Sequence, residues 1–294
     1  MPDCTLKIRR ASEGQVGCVM IGENKPVITD LTVRGKTLEV LLCPVPKPRG
    51  TIVLIHEALG SVSAWKDFPE KLADFLGHNV LAYSRAGHGN SEGPVEPRSP
   101  RYYLDQVEYV LPALFHHFDV EAPVLYGHSE GAAIALLYAA QDPQVRAVIA
   151  ECPIVAREER TIATVGQFAA NYESSDLGRK LERHHRDPEK VFRSWIETIG
   201  DSPMMPNFPL QKHLERVQSP VLVLQGAEDE FGGTVQLQVL QKYLPHLQHE
   251  VFEGAGHLLH RERTGLVMER VHRFLAGALT GHQGKTVVSH FKGQ

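Results

Sequence analysis

The sequence predicts an α/β protein: a mostly parallel β-sheet covered by helices on both faces and carrying a helical insertion. Short, continuous apolar runs of strand length alternate with longer stretches of helical spacing, the rhythm of a buried parallel sheet whose crossovers are helices. That rhythm breaks once, from Ile154 to about Arg216, where polar-rich helical stretches follow one another without a convincing strand. The totals agree: 294 residues, 42% hydrophobic and 22% charged, suffice for one large domain with a buried core and exclude a disordered chain.

Residues 1–26 form a weakly patterned N-terminal extension. "VITDLTV" and "TLEVLLC" then read as a hairpin, with Gly35 of the intervening "RGK" supplying the turn. A Pro-rich linker, "PVPKPRG", leads to "TIVLIH" (51–56), a strand buried on both faces. "SAWKDFPEKLADFL" has helical spacing, "NVLAYS" (79–84) is a strand, and "RYYLDQVEYVLPALFHHF" is a helix. "PVLYGH" (123–128) is a strand followed by a helix from Glu130, and "VRAVIAECP" (145–153) is the next strand. Beyond the insertion, "PVLVLQG" (220–226) resumes the pattern; a helix, the short strand "HEVFEG" (249–254) and the terminal helix "RTGLVMERVHRFLAGAL" complete it. The core is therefore expected over 27–153 and 217–280, with 154–216 as a helical cap rather than an independent domain. The tail, 281–294, is polar and Gly-containing and is expected to be loosely held.

A net charge of −4 without a clustered basic face excludes a nucleic-acid footprint. The N-terminus lacks the apolar core of a signal peptide, and no apolar run approaches the ~20 residues that span a bilayer. Cysteines at 4, 18, 43 and 152 have neither metal-ligand spacing nor the density of a disulfide framework. These features predict a cytoplasmic protein with reduced thiols, free of membrane.

The chemistry concentrates at the predicted strand ends, where such sheets bind ligands. Gly127-His128-Ser129-Glu130-Gly131 matches G-x-S-x-G and falls between a strand and a helix, the context of a nucleophile elbow. The glycines are required because a Cβ at either position would collide across the tight turn, and Ser129 must accept a strained backbone. A serine needs a base, and His257 of "EGAGHLLHRE" follows the last strand in a Gly-rich loop; His260 is the rival, read as structural or as a lid contact. The base needs a carboxylate, and Asp229 of "LQGAEDEFG" is the best candidate, flanked by Glu228 and Glu230, with Glu151 as the alternative acid. The oxyanion hole is expected from the backbone N–H groups of Ala58, in "HEALGS", and Glu130, leaving His56 to shape its loop.

With "HEALGSVSAW", "YSRAGHGNSEG", "GHSEG", "LQGAEDEFG" and "GAGH" in this order, the chain resembles the α/β-hydrolase superfamily over roughly residues 27–279, and within it small bacterial ester and C–C bond hydrolases. The resemblance implies an α/β-hydrolase fold with an eight-stranded sheet and helical cap, a catalytic triad of Ser129, Asp229 and His257, and neither metal nor organic cofactor. Two residues depart from the family pattern. The common His-Gly of the oxyanion loop is His56-Glu57, and the residue after the nucleophile is Glu130. With Glu151 they could place three carboxylates near the pocket; either they turn away into salt bridges or helix capping, or they make a pocket that disfavours anionic acids. Glu57, Glu151 and Trp195 are accordingly candidate substrate contacts. Phe168, Tyr172, Phe192, Trp195 and Phe208 would give the cap an apolar wall, or pack it onto the core.

The leading expectation is a serine hydrolase cleaving a carboxylic ester, lactone or thioester of a small apolar molecule. A C–C bond hydrolase or lyase could use the same triad. A ligand receptor or scaffold that kept the fold would not need all three residues, and nothing positive supports cofactor-free oxygen chemistry.

Overall fold

A computed structural model describes residues 25–93, 101–156, 158–200 and 210–279. Most of the N-terminal extension, the tail and Phe208 lie outside the described residues.

Each strand read from the sequence is present: β1 (Val27–Val33), β2 (Lys36–Cys43), β3 (Thr51–Ile55), β4 (Asn79–Tyr83), β5 (Val124–His128), β6 (Ala147–Glu151), β7 (Val221–Gly226) and β8 (Gln248–Phe252). They form one eight-stranded sheet in the order β1-β2-β4-β3-β5-β6-β7-β8. The β1–β2 hairpin closes in register Val33↔Lys36 through Arg34 and Gly35, both at positive φ (51° and 76°), as a type I′ turn requires. β2 is antiparallel to β4, and every pair from β4 to β8 is parallel.

The central strands β3 to β6 are buried on both faces, which is why they read as continuous apolar runs. Their side chains alternate between two cores. Val53, Ile55 and Leu125 face one with Leu111, Leu114 and Leu136; Ile52, Leu54 and Tyr126 face the other with Phe68, Leu72 and Phe274.

Helix α1 (Phe68–Leu76) stops at Gly77, which takes the left-handed conformation at φ 63°. The single helix predicted after β4 is interrupted: α2 (Tyr102–Asp105) runs through a π-turn (Gln106–Val110) into α3 (Leu111–His117). Pro112, without an N–H, cannot complete the α-helical ladder there. Helix α4 (Glu130–Ala139) is buried along its whole length. Between β6 and β7 stand α5 (Glu159–Ala170), α6 (Leu177–Glu182), α7 (Pro188–Gly200) and α8 (Leu210–Leu214). Val165, Leu181, Phe192 and Trp195 of α5–α7 form their own apolar cluster, which reaches Ala58 in the loop after β3. Leu210 and Leu214 of α8 instead join the main core. Helix α9 (Thr234–Tyr243) follows β7, and α10 (Leu259–Glu262) and α11 (Thr264–Leu279) follow β8. Among the described residues, no helix is long and apolar enough to cross a membrane.

The strand order places the site. The chain runs from β3 outward to β4, then returns past β3 to β5. The crevice between the carboxyl ends of β3 and β5 is therefore a topological switch point, flanked by the "HEALGS" loop on one side and Ser129 on the other.

Candidate active site

Ser129 joins β5 to α4 with φ 56° and ψ −116°, a strained conformation for a residue with a Cβ. Its neighbours explain how the chain tolerates this. A Cβ on Gly127 would lie 2.3 Å from the Gly131 carbonyl oxygen, the expected collision across the turn. The constraint on Gly131 differs from expectation: its Cβ would fall 2.0 Å from Ile55 O, on the neighbouring strand β3. Gly131 is thus demanded by helix-to-sheet approach, a contact with no local signature. Ser129 N–H donates to Glu151 O at 2.8 Å, tying the elbow to β6.

Asp229 follows β7 and is buried, whereas its neighbours Glu228 and Glu230 are exposed. Its Oδ1 accepts from His257 Nδ1 at 2.8 Å and from the backbone N–H groups of Phe231 (2.9 Å) and Gly232 (3.2 Å). Its Oδ2 accepts from Gln225 Nε2 at 2.9 Å. Burial pushes the Asp229 carboxyl up, but these donors and the His257 ring outweigh it and hold the group below its ordinary value. Burial pushes His257 down, but the hydrogen bond and charge of Asp229 outweigh that and raise it. With Nδ1–H given to Asp229, Nε2 is the ring nitrogen that can take a proton. The His257 carbonyl in turn accepts from His128 Nε2 at 2.8 Å, which anchors the loop from behind.

Ser129 and His257 line one cavity of about 600 Å³, its open mouth included. Ala58 and Glu57 from the β3 loop, Phe168 and Trp195 from α5 and α7, and Phe231 complete most of its wall. Trp195 and Phe168 therefore reach the cavity, while Tyr172 and Phe192 stack on each other at 4.0 Å and pack the helices together.

The three singled-out glutamates have three different fates. Glu130 is a cavity-lining residue whose carboxylate is spoken for: Arg85 Nη1 donates to Oε2 at 2.8 Å and Tyr103 Oη to Oε1 at 3.1 Å. Glu57 is half-buried on the cavity wall, its Oε2 accepting Leu59 N–H at 2.5 Å, and burial pushes its carboxyl up. Glu151 does not contact the cavity, contrary to the expectation of a substrate contact, and it is not the acid partner of His257. It is 0% exposed and accepts from Tyr126 Oη (2.5 Å), His260 Nδ1 (2.7 Å) and His260 N–H (2.9 Å). Although burial opposes it, the His260 and His128 rings and these hydrogen bonds lower its carboxyl to about 2. His260 is thus the structural partner of Glu151.

Arg85 escaped the sequence reading. It lies in "YSRAGHGNSEG" at the end of β4, is 0% exposed, and also donates through Nη2 to Glu57 O at 2.6 Å. The only signal was a basic residue beside a strand end, too common to single out. His56 shapes its loop as expected: Nε2 accepts from Arg85 N–H at 3.0 Å, so Nδ1–H donates to Glu57 O at 2.7 Å.

Two buried groups, His128/Glu151/His260 and Cys152/Asp229/His257, bring potential metal-ligand atoms within 4.8 Å of one another. In both, the carboxylate already serves the hydrogen bonds above. Cys43 and Cys152 are free and buried, and burial pushes the Cys43 thiol up to about 12.

An eight-stranded sheet, a serine on a strained elbow and a buried Asp–His pair at the next strand ends define a class of hydrolase scaffold. The chain belongs to the α/β hydrolase family, whose model matches residues 52–270. It is 24% identical over 253 residues to a monoglyceride lipase of Rattus norvegicus, covering 76% of this chain and 82% of the relative. It is 27% identical over 249 residues to a pimeloyl-[acyl-carrier protein] methyl ester esterase of Xanthomonas campestris, covering 69% and 98%. In fold it resembles carboxylesterase CesB of Bacillus subtilis, with a TM-score of 0.65, 18% identity and coverage of 86% and 92%.

Proposed function

We propose that the protein is a serine hydrolase that cleaves a carboxylic ester, lactone or thioester of a small apolar molecule through an acyl-enzyme. The observation that carries this reading is the 2.8 Å Asp229–His257 hydrogen bond beside the cavity that Ser129 also lines. His257 Nε2 takes the Ser129 proton as Oγ attacks the carbonyl carbon. The backbone N–H groups of Ala58 and Glu130 receive the oxyanion, and neither departure from the family's usual residues removes a backbone donor. His257 then protonates the leaving group, and afterwards activates water to release the acid and regenerate Ser129. The α5–α7 helices serve as a cap, with Phe168 and Trp195 presenting an apolar wall to the substrate and limiting water. Lipase and esterase relatives favour ester chemistry over other uses of the triad.

A fluorophosphonate probe followed by peptide mass spectrometry tests the proposal. Labelling is expected at Ser129 and is lost in Ser129→Ala and His257→Ala. A folded wild-type protein that takes up no probe and hydrolyses no p-nitrophenyl ester would point instead to a ligand-binding member of the fold.

A further inference from the structure

We propose that Arg85 is a positioning residue of the oxyanion site, its guanidinium locking together the two backbone segments that carry the oxyanion donors. This rests on the hydrolase reading above and extends it to a residue that does not touch substrate.

One prong, Nη1, donates to Glu130 Oε2 at 2.8 Å. Glu130 opens α4 directly after Ser129 and supplies one proposed donor. The other prong, Nη2, donates to Glu57 O at 2.6 Å. That oxygen belongs to the peptide unit whose N–H is that of Ala58, the other proposed donor. The described backbone has no cis peptide, so the C=O and N–H of this unit point in opposite directions. Drawing the oxygen towards Arg85 therefore aims the Ala58 N–H away from it. His56 Nδ1 (2.7 Å) and Gly60 N–H (3.0 Å) converge on the same oxygen, so three donors, one of them cationic, fix the plane of this peptide. A carbonyl bonded to a cation also polarises its own amide, which makes the N–H a stronger donor.

A plain buried ion pair would account for the contact with Glu130 but not for the second prong. Tyr103 already shares the Glu130 carboxylate. Arg85 Nε, by contrast, has no hydrogen-bond partner among the described residues. The guanidinium is placed for the start of α4 and the loop after β3 rather than for its own full satisfaction. Arginine suits this because its two terminal nitrogens form a rigid fork, which a lysine ammonium does not.

Three variants test the assignment: Arg85→Met, Arg85→Lys and the double variant Arg85→Met/Glu130→Leu. The double variant removes both charges, so the fold is not left with a stranded buried carboxylate. Circular dichroism and thermal melting establish folding; p-nitrophenyl butyrate hydrolysis and inhibition by a trifluoromethyl ketone, which forms a tetrahedral adduct on serine, supply the readouts. In the folded double variant kcat is expected to fall by about 100-fold and ketone affinity to weaken by a similar factor, the scale of losing an oxyanion donor. KM is expected to stay within about 3-fold, the signature of an interaction used in the transition state. Arg85→Lys is expected to show the same split at about 10-fold. A folded double variant, or Arg85→Lys, with wild-type kcat and ketone affinity overturns the proposal, as does a loss confined to KM. A wild-type protein inert to both ester and fluorophosphonate would sink the hydrolase reading and this assignment with it, whereas an active wild type with active variants sinks this assignment alone.

Discussion

In the proposed mechanism, the hydrogen bonds of Asp229 would set the working pH of the site. Its carboxylate is held charged by His257, Gln225 and two backbone N–H groups, and in return raises the His257 ring above the ordinary imidazole value of 6.5. A base must be neutral to accept a proton, so activity is expected to be low below that raised value and to grow as pH rises through it. The acid limb of kcat/KM should therefore lie above pH 6.5. In Asp229→Asn the limb should move to lower pH, and kcat/KM should drop by about 10³- to 10⁴-fold as the tautomer-fixing charge is lost. A pH–rate profile of the two proteins checks both effects; an unmoved limb would show that Asp229 does not tune His257. At this scale Ser129, Asp229 and His257, the residues of the proposed triad, stand out in the sequence because each sits in a short motif after a strand. Arg85 does not, because its meaning lies in partners 28 and 45 residues away.

At the scale of the element, the elbow is the costly feature. Strand β5 and helix α4 meet through Ser129 at a strained positive φ, and α4 approaches β3 so closely that Gly131 has no room for a Cβ. Gly131→Ala is predicted to destabilise the protein by about 3 kcal/mol or more, since the colliding atom is a backbone oxygen that no rotamer change can move. Gly166 offers the opposite case. It is exposed inside α5, and a Cβ there would meet nothing within 4 Å. Gly166→Ala is predicted to stabilise by about 0.5–1 kcal/mol through helix propensity. Urea unfolding of both variants checks the pair; equal effects would mean that close helix–sheet approach is not what keeps residue 131 a glycine. The strands themselves were readable from apolar runs and turn residues. The break of the helix before Pro112 was not anticipated, because a proline near a helix start and one within a helix look alike in sequence.

For the whole molecule, the reversal of strand order between β3 and β5 opens the crevice, and the helices between β6 and β7 wall it. Among the described residues lining the cavity, the ionisable side chains besides His257 and Tyr103 are Glu57 and Glu130, and Arg85 neutralises Glu130. In the proposed reaction, Glu57 would then be the carboxylate that a substrate meets. We predict that, across matched p-nitrophenyl esters, neutral and cationic acyl groups are turned over with kcat/KM about 10-fold above an anionic one, the size of a partly screened charge repulsion of about 1.4 kcal/mol. Glu57→Gln should narrow the gap; equal rates for the three charges in the wild type, or a preference for the anion, would refute the filter. Of the three carboxylates expected near the pocket, Glu57 and Glu130 line it, and Glu130 is paired with Arg85.

The amino-acid sequence by itself determined the order of strands and helices, the α/β architecture and the placing of Ser129, Asp229 and His257, the residues of the proposed triad, after strand ends. These are written in patterns a few residues long, because backbone pleat, helix period and tight turns are local. Only the tertiary structure decided what each carboxylate does. Glu130 meets Arg85 across 45 residues of chain and Glu151 meets His260 across 109, pairings set by which strands lie side by side. A buried charge must find its partner wherever the fold brings one, and that partner has no fixed spacing in the chain.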